Sequence, residues 1–293
     1  MEQGLGLGTV QFGLDYGITN AAGKVPLDEV RRILARAEAG GVLTLDTAAA
    51  YGDSEEVVGG LVAEDSPFAI VTKTLPVRRS AIGAEELAAI DAGFRQSLSR
   101  LKRNAIDTLL VHHADDLLVP GGERVYELLC GWRDRGLVSR IGFSAYDHDQ
   151  IQAVLKWFPF EVVQLPVSVF DQRLVRDGTL QELHRRGIRI HARSVLLQGL
   201  LADELPKLPP ALETFAPAMH SYREYLRHAG ASPMEAALGF VRGLPGVEVV
   251  LVGVVSARQL GECIAAYNAD KALDLGQFAC DDPHLVDPRR WNS

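Results

Sequence analysis

The sequence has few cysteines, no long hydrophobic run and no excess of positive charge. Its three cysteines lie far apart and show neither a metal-ligand spacing nor a disulfide framework. No apolar run reaches the ~18 residues of a transmembrane helix, and residues 1–13 lack the basic and apolar regions of a secretory signal. A net charge of −8 argues against a general nucleic-acid partner. We therefore expect a cytoplasmic protein that contacts neither membrane nor nucleic acid.

What the chain does contain is a regular alternation of short β-type runs and amphipathic helical patterns. Its 293 residues are 47% hydrophobic, which is enough for a sizeable core. Such alternation is typical of parallel α/β folds. The predicted strands, eight in number, cover residues 4–9, 42–46, 68–72, 106–112, 138–143, 161–164, 188–191 and 247–252. We therefore predict a (β/α)8 TIM barrel, with residues 1–293 forming a single domain.

Two connections are long for loops that follow a strand. They cover residues 11–27 and 198–217, and the second contains Pro206, Pro209, Pro210 and Pro217. In a barrel both would leave the C-terminal face, where active sites lie. Helix starts are predicted at Asp147, with Gln150 following, and at Ser232, whose partner Glu235 completes a capping box. The polar tail is expected to pack as an extended strap. Because no coiled-coil heptads occur, a monomer is the default.

Polar side chains collect where the predicted strands end. Parallel strands that are buried on both faces are apolar along their length, and these runs follow that rule. The residues at or just after their ends are Gly8-Thr9, Asp46, Lys73, His112, Ser144, Gln164, Arg193 and Gly253. In a barrel these positions surround one mouth, where barrel enzymes place their active sites. The pattern therefore predicts an enzyme.

Each of these residues also has a structural interpretation when it is taken alone. An aspartate such as Asp46 is often a helix cap, Tyr51 could be a half-buried aromatic residue, and Lys73 a solvated rim charge. The pair His112-His113 suggests a metal site. Neighbouring residues on a strand, however, point to opposite faces, so the pair is poorly placed to hold one ion. We therefore expect no metal there.

Three segments that carry these side chains follow one another in a specific order. They are LDTAAAYGDSEEVVG at residues 45–59, VTK at 71–73 and IDTLLVHH at 106–113. In order and spacing they resemble the segments that hold the catalytic residues of aldo-keto reductases. IGFSAYD at 141–147 and VVQLPVSVF at 162–170 resemble that family's nicotinamide-binding segments. The sequence is thus identified as a member of the aldo-keto reductase superfamily, similar to its bacterial branch of small reductases.

The resemblance implies an oxidoreductase, acting on the CH–OH group of donors, that moves a hydride between a nicotinamide cofactor and a carbonyl. It assigns catalysis to Asp46, Tyr51, Lys73 and His112. Tyr51 would give the carbonyl oxygen its proton. Lys73, paired with Asp46, would lower the pKa of the phenol from its ordinary value of about 10. His112 would hydrogen-bond and orient the carbonyl oxygen, and no metal is then required.

The resemblance also implies where the cofactor binds. The glycines at positions 4, 6 and 8 do not have the spacing of a dinucleotide fingerprint, and a loop follows them. The implied ligands are Gly8 and Thr9 near the nicotinamide, Ser144 and Gln164 on its carboxamide, Arg193 flat against its ring, Ser194, Gln198, Gly199 and Leu201 along the pyrophosphate, and Gly253, Ser256, Arg258, Gln259 and Glu262 around the adenosine phosphate.

The cofactor is expected to be NADP(H) in preference to NAD(H), with Arg258 holding the 2′-phosphate. Arg258 could equally be a solvated charge on a helix surface. The chain departs from the family where many members that prefer NADPH have a basic residue, since it has Val254 and Val255 there. It also has Ala145 and Cys263 where asparagine is usual. These departures leave NAD(H) open as a cofactor.

The pocket mouth is predicted to contain Gln11, Phe12, Tyr16, His113 and Phe170, a mixture that favours a sugar-like or hydroxylated carbonyl compound. Two other classes of protein remain open. A nucleotide-binding redox sensor would keep the barrel without significant turnover, although it has no need of all four catalytic groups. An isomerase would use Lys73 in a Schiff base, but that chemistry needs a lowered lysine pKa, and the neighbouring Asp46 would raise it.

Overall fold

Eight parallel strands close into one barrel, in which each strand pairs with the next and the last pairs with the first. The computed structural model describes residues 3–18, 20, 22–202, 208 and 210–291; Pro206 and Pro209 of the second long loop lie outside them. The strands are β1 (Gly4–Gly8), β2 (Thr44–Asp46), β3 (Ala69–Lys73), β4 (Ile106–Val111), β5 (Val138–Ser144), β6 (Val162–Pro166), β7 (Arg189–Arg193) and β8 (Val247–Gly253). The eight predicted strands are therefore confirmed, each boundary to within two residues.

Helices follow the strands and surround the barrel. They are α1 (Val10–Gly13), α2 (Leu27–Ala39), α3 (Ser54–Leu61), α4 (Ala84–Leu101), α5 (Gly122–Asp134), α6 (His148–Leu155), α7 (Arg173–Arg176), α8 (Thr179–Arg185), α9 (Ala216–Ala229), α10 (Pro233–Arg242), α11 (Ala257–Asn268) and α12 (Pro283–Val286). Short 3-10 turns occupy Ala114–Leu117, Leu197–Gly199, Pro210–Phe215, Gly276–Phe278 and Pro288–Arg290. The predicted TIM barrel is thereby confirmed.

The helices begin where local sequence chemistry favours them. The Ser232 hydroxyl accepts a hydrogen bond from the Glu235 amide, and the Glu235 carboxylate accepts one from the Ser232 amide, so the predicted capping box is confirmed. The Asp147 carboxylate likewise accepts from the Gln150 amide at the start of α6. Such caps fix the directions in which the chain enters the helices, and hence where the loops of the mouth begin.

Two large apolar clusters and a small one, formed by Val71, Leu110 and Val162, pack the described part of the molecule. The larger joins the barrel strands to the surrounding helices, because the strands are buried on both faces. The second large cluster lies at the C-terminal face, where Phe170 after β6, Leu200 after β7 and Tyr222 of α9 pack with Leu285 and Trp291 of the tail. The expected extended strap is thus wrong in form: the tail packs as α12 and a 3-10 turn, because Leu285 and Trp291 are buried in this cluster. No helix among the described residues is long and apolar enough to cross a membrane.

Candidate active site

Four side chains meet at the carboxyl ends of three neighbouring strands. Asp46 and Lys73 are the last residues of β2 and β3, and His112 directly follows β4. Tyr51 lies in the connection between β2 and α3. Because β2, β3 and β4 are adjacent in the barrel, the closed sheet brings together residues that are up to 66 positions apart in the sequence (46 to 112).

Lys73 is an almost fully buried cation held by oxygen acceptors. Its Nζ donates to Asp46 Oδ1 at 2.6 Å and to the Thr47 carbonyl at 2.8 Å, and the side chain is only 1% exposed. Burial lowers the pKa of Lys73, but the charges and hydrogen bonds of Asp46 and Tyr51 act the other way and raise it above its ordinary value. The lysine is therefore an ammonium at neutral pH, which disfavours Schiff-base chemistry.

The second carboxylate oxygen of Asp46 is also occupied. Gln164 belongs to β6, but its side chain reaches the end of β2. Its Nε2 donates a hydrogen bond to Asp46 Oδ2 at 2.6 Å. The sequence placed Gln164 only on the nicotinamide carboxamide. In the structure its amide nitrogen completes a buried Lys73–Asp46–Gln164 network, which satisfies both oxygens of the Asp46 carboxylate, whose side chain is 6% exposed.

Two glycines position Tyr51. Gly52 has φ +57°, a left-handed backbone that glycine adopts readily. A Cβ on Gly13, the last residue of α1, would lie 1.9 Å from the Tyr51 carbonyl oxygen, so α1 can approach this turn only because position 13 is glycine. The Tyr51 ring is partly buried, and Lys73 Nζ lies 5.0 Å from its centroid.

The electrostatics of Tyr51 differ from the sequence expectation. Burial raises the pKa of Tyr51 above its ordinary value, while the charge and hydrogen bond of Lys73 lower it. Burial wins, so the expected net lowering does not occur in this structure. The phenol is protonated at neutral pH and can act as a proton donor, and Lys73 is placed to stabilise the phenolate that donation would leave.

His112 is a neutral imidazole beside that phenol. Its ring centroid lies 5.8 Å from that of Tyr51, with the planes at 86°. Burial, helped by the charges of Lys73, Arg193 and Arg78, lowers the pKa of His112 to about 3. Its Nδ1 is buried and has no hydrogen-bond partner within the described part of the chain. A neutral ring with spare hydrogen-bonding capacity suits a group that binds a carbonyl oxygen.

His113 lies beside two carboxylates. Its ring nitrogens lie 3.5 Å from Asp116 Oδ1 and 3.6 Å from Asp115 Oδ2. Among the described residues, no three histidine, cysteine or carboxylate side chains are grouped as metal ligands.

The structure corrects two of the predicted mouth residues. Phe12 is fully buried in the main core, since residues 10–13 form α1 and turn the ring inward. Phe170 is 1% exposed and packs edge-on against Tyr222 in the second cluster, 5.5 Å between centroids. Tyr16, by contrast, is 42% exposed, and Tyr51 and Arg193 both act on it electrostatically, which places it near the mouth.

Several predicted cofactor residues share one rim. Gly8 lies opposite Asp46 on one side and Gly253 on the other, and Ser144 lies opposite Gln164. The Thr9 hydroxyl donates to the Asp46 carbonyl at 3.0 Å. Gln11 packs so close to Gly253 that a Cβ there would lie 2.7 Å from its amide nitrogen, and its Oε1 is buried without a partner in the described structure. Predicted mouth residue Gln11 therefore lies beside Gly253, one of the predicted cofactor residues.

The segment after β7 has an unusual backbone. Ser194, Leu197 and Gln198 all have positive φ (+60°, +43° and +52°), a conformation that is uncommon outside glycine and is concentrated at functional sites. Gln198 Oε1 accepts a hydrogen bond from the Ile18 amide at 3.1 Å, so the two long loops meet over the mouth. Leu201 is buried in the second cluster, whereas Gly199 has φ +96° within the same turn.

Arg193, predicted to lie on the nicotinamide, contacts an aromatic residue that the sequence analysis did not identify. Its guanidinium lies 4.2 Å from the centroid of the Tyr146 ring and donates to the Ala145 carbonyl at 3.1 Å. Arg289 of the tail lies against the same ring at 3.4 Å. The IGFSAYD segment contained Tyr146, but nothing local to it indicated two arginine partners.

The amino end of α11, predicted to bind the adenosine phosphate, is already partly satisfied by protein groups. Ser256 caps the helix through the Gln259 amide, and Gln259 Oε1 accepts from the Val255 amide. Arg258 pairs with Glu262 at 2.5 Å. The Ala257 amide donates to Glu29 Oε1 of α2 at 2.7 Å.

A protonated phenol and a neutral imidazole beside a buried ion pair, at the carboxyl end of a (β/α)8 barrel, are typical of the active site of a barrel enzyme. The model of the Aldo/keto reductase family matches residues 4–279. The chain belongs to this family, which makes it an oxidoreductase.

Individual relatives agree with this assignment. The L-glyceraldehyde 3-phosphate reductase of Escherichia coli strain K12 is 25% identical over 327 residues, covering 98% of this chain and 91% of that protein. An uncharacterised oxidoreductase of Mycobacterium tuberculosis is 29% identical over 294 residues, covering 89% and 83%. The holo form of an aldo-keto reductase from Bacillus halodurans superposes with a TM-score of 0.77 at 19% identity, covering 98% and 94%. An aldo-keto reductase from Klebsiella pneumoniae in complex with NADPH superposes with a TM-score of 0.69 at 20% identity, covering 97% and 94%.

Proposed function

We propose that this protein reduces an aldehyde or ketone to an alcohol with NADP(H), and that Tyr51 is the proton donor. The observation that supports this proposal is the buried Lys73–Asp46–Gln164 network beside a protonated phenol and a neutral imidazole. A bound reduced nicotinamide supplies the hydride. The protein groups then have to orient the carbonyl and deliver one proton to its oxygen.

His112 and Tyr51 divide that work. His112 stays neutral at physiological pH, since its pKa is about 3, so it binds the carbonyl oxygen without delivering the proton itself. Tyr51 donates its phenolic proton to the oxygen as the alcohol forms. The Lys73 ammonium stabilises the phenolate, and Asp46 keeps that ammonium charged and oriented.

The residues around the mouth fit a nicotinamide dinucleotide. Gln11 Oε1 and His112 Nδ1 are buried polar atoms without partners among the described residues, as expected for groups that a bound molecule satisfies. Ser194 and Gln198, with their left-handed backbone, would lie along the pyrophosphate, and Ser144 would hold the carboxamide. The carboxamide could still bind Gln164 through its free oxygen.

The preference for NADP(H) is the finer part of the proposal. An NADPH complex of a structural relative favours it, as does Arg258 on the first turn of α11. Glu29, however, holds the Ala257 amide with a carboxylate, and it would compete with a 2′-phosphate for that N–H group. We expect Glu29→Gln to lower the Kd for NADPH roughly two- to fivefold while leaving that for NADH unchanged. Equal effects on both nucleotides would contradict this placement of the phosphate.

The proposed substrate is a small hydroxylated or sugar-like carbonyl compound. Tyr16, a residue with both polar and aromatic character, lies close enough to Tyr51 and Arg193 to feel their charges, and one relative reduces L-glyceraldehyde 3-phosphate. A panel in which simple hydrophobic aldehydes react far faster than sugars would contradict this choice.

The decisive experiment is a fluorescence titration with NADPH and NADH, followed by turnover of an aldehyde panel by the wild type and by Tyr51→Phe. We expect nucleotide binding by both proteins and a loss of about 10²- to 10⁴-fold in kcat for Tyr51→Phe. Because Tyr51 is partly exposed, phenylalanine should leave the fold intact, which a thermal melt checks. Binding without turnover of any carbonyl would favour a nucleotide sensor, and binding of neither nucleotide would refute the proposal.

A further inference from the structure

Arg78, in the loop after β3, has a backbone conformation that costs energy and is held in place by a buried carboxylate. Its φ is +52°, which is uncommon for a residue with a side chain. The amides of Val77 and Arg78 donate to the two carboxylate oxygens of Asp116, at 2.8 and 2.9 Å. Asp116 is 3% exposed and lies four residues beyond His112. The loop is thereby fixed against the strand that ends at the catalytic histidine.

The side chain of Arg78 is exposed and unengaged. It makes no hydrogen bond or ion pair within the described ranges, whereas the backbone amides of Val77 and Arg78 are both bound by Asp116. Its charge nevertheless acts on His112. Burial is the main cause of the lowered pKa of His112, and the charges of Lys73, Arg193 and Arg78 lower that pKa further. Arg193 also acts on Tyr51. A cationic field therefore surrounds the position expected for the carbonyl oxygen.

The carboxylates near this field are engaged elsewhere. Both oxygens of Asp116 accept the loop amides. Asp115 accepts from Gln150 Nε2 at 2.6 Å and lies beside His113. Asp147 caps α6. A net charge of −8 for the chain therefore does not describe this part of the mouth. Asp116 Oδ1, which accepts from the Arg78 amide, also lies 3.5 Å from His113 Nδ1, so a cation without a partner among the described residues lies close to the residue that follows His112.

The adjacent arginine has a different environment. Arg79 acts on Glu86 near the start of α4, whose carboxylate receives the Gly83 amide. It is exposed like Arg78 and carries the same charge one residue further along. Arg79 is thus a matched control, since it has the same charge and a similar exposure but acts on Glu86 at the start of α4.

We propose that the substrate is an anionic carbonyl compound, a short aldehyde or ketone bearing a carboxylate or a phosphate, and that Arg78 binds the anionic group while His112 and Tyr51 bind the carbonyl oxygen. A guanidinium can hold either anion through two parallel hydrogen bonds. The pinned backbone fixes the base of the side chain, so less conformational freedom is lost on binding. This inference rests on the proposed function, because it names the substrate class of the same site.

Paired substrates test it. Succinic semialdehyde is compared with butanal, and glyceraldehyde 3-phosphate with glyceraldehyde, in wild type, Arg78→Gln and Arg79→Gln. For the wild type we expect the kcat/KM of at least one anionic substrate to exceed that of its neutral partner roughly 10- to 100-fold. Arg78→Gln should remove that preference by lowering the rate with the anion only, Arg78→Lys should restore part of it, and Arg79→Gln should keep it. The pair that shows the preference identifies carboxylate or phosphate.

The outcomes separate this inference from the proposed function. Turnover of neutral and anionic substrates at equal kcat/KM, or equal losses in Arg78→Gln and Arg79→Gln, would overturn the role of Arg78 and leave the reductase intact. If no carbonyl reacts, calorimetric titration of the nucleotide-loaded wild type with succinate and with inorganic phosphate still decides. Binding that Arg78→Gln abolishes supports the anion site, and absence of binding refutes it.

Discussion

Each end of the barrel contains a network of charged side chains, and the two networks differ in what surrounds them. At the carboxyl end Lys73 and Asp46 have side chains that are 1% and 6% exposed. At the amino end Glu248 of β8 pairs with Arg189 at 2.6 Å and with Arg140 at 3.3 Å, and these side chains are 16–30% exposed. Because β5 and β8 are not neighbours, the contact from Arg140 crosses the barrel interior.

The difference shows that the depth of burial sets how strongly an ion pair acts on its surroundings. The amino-end network contacts none of the four predicted catalytic side chains in the described structure, and it links β5, β7 and β8. The carboxyl-end network is almost fully buried, so solvent screens it little, and its ammonium acts directly on Tyr51. Barrel enzymes in general place catalysis at the carboxyl end and structural interactions at the other. Here the same ion-pair chemistry serves both purposes.

The largest effect is expected for Lys73→Met. It removes the charge that stabilises the phenolate and leaves Asp46 unpaired in the interior. We expect kcat to fall by about 10³-fold or more, and the free energy of unfolding to fall by about 3–5 kcal/mol. Steady-state rates and urea denaturation measure the two effects.

The double variant Asp46→Asn/Lys73→Met separates the two consequences, because it no longer contains a buried unpaired charge. Stability should largely return while activity stays lost. Recovery of activity together with stability would mean that Lys73 has only a structural role.

The next largest effect is a dependence of stability on pH. It arises from one histidine at the mouth, His112, and one in the interior, His191. Burial lowers the pKa of both His112 and His191, each to about 3, whereas an unfolded histidine titrates near 6.5. Below pH 6.5 the unfolded chain therefore binds protons that the folded chain does not. Stability should fall as the pH drops from 6.5 towards 3, by up to about 1.4 kcal/mol per pH unit for each histidine.

Variants of the two histidines show how much each one contributes to this pH dependence of stability. His191→Gln should remove its share of the slope with little effect on turnover, since His191 is a buried residue in the middle of β7, before the strand end that carries Arg193. In wild type, kcat should show no titration near pH 6.5 as long as the protein stays folded. A step in kcat at that pH, absent in a His112 variant, would show that His112 titrates normally.

The smallest effect is expected for Glu248→Gln at the amino end. The pair is partly exposed, so solvent screens it, and we expect a loss of about 1 kcal/mol, or about 2–4 °C in Tm. Turnover should stay within about twofold of the wild type, because a change at one end of the barrel usually acts independently of a distant site. A kcat loss comparable with that of Lys73→Met would mean that the two networks are coupled through the barrel.

The features that could be predicted from the sequence are those that depend on residues close together in the chain. The strands were found because they are apolar and regularly spaced, and the cap of α10 because Ser232 and Glu235 are three residues apart. The fold follows from this alternation alone. The four catalytic residues were found because the resemblance covers the whole chain, although their roles remain proposals.

Contacts between distant residues could not be predicted in this way. Gln164 is 118 positions from Asp46, and Glu29 is 228 positions from Ala257. No local pattern marks either partner, and only the closure of the barrel brings them together. Phe12 was misplaced for the opposite reason: its glycine-rich surroundings resemble a loop, yet residues 10–13 form a helical turn that directs the ring into the core.

The position of the tail has a practical consequence for anyone who produces this protein. Trp291 is buried and donates a hydrogen bond from its indole nitrogen to the His284 carbonyl. Two residues earlier, Arg289 packs on the Tyr146 ring, which Arg193 also contacts. A purification tag or fluorescent fusion joined directly behind Trp291 would begin within a few residues of the mouth. Such a label belongs at the other terminus or behind a flexible spacer, and enzyme assays on C-terminally labelled material would need an unlabelled reference.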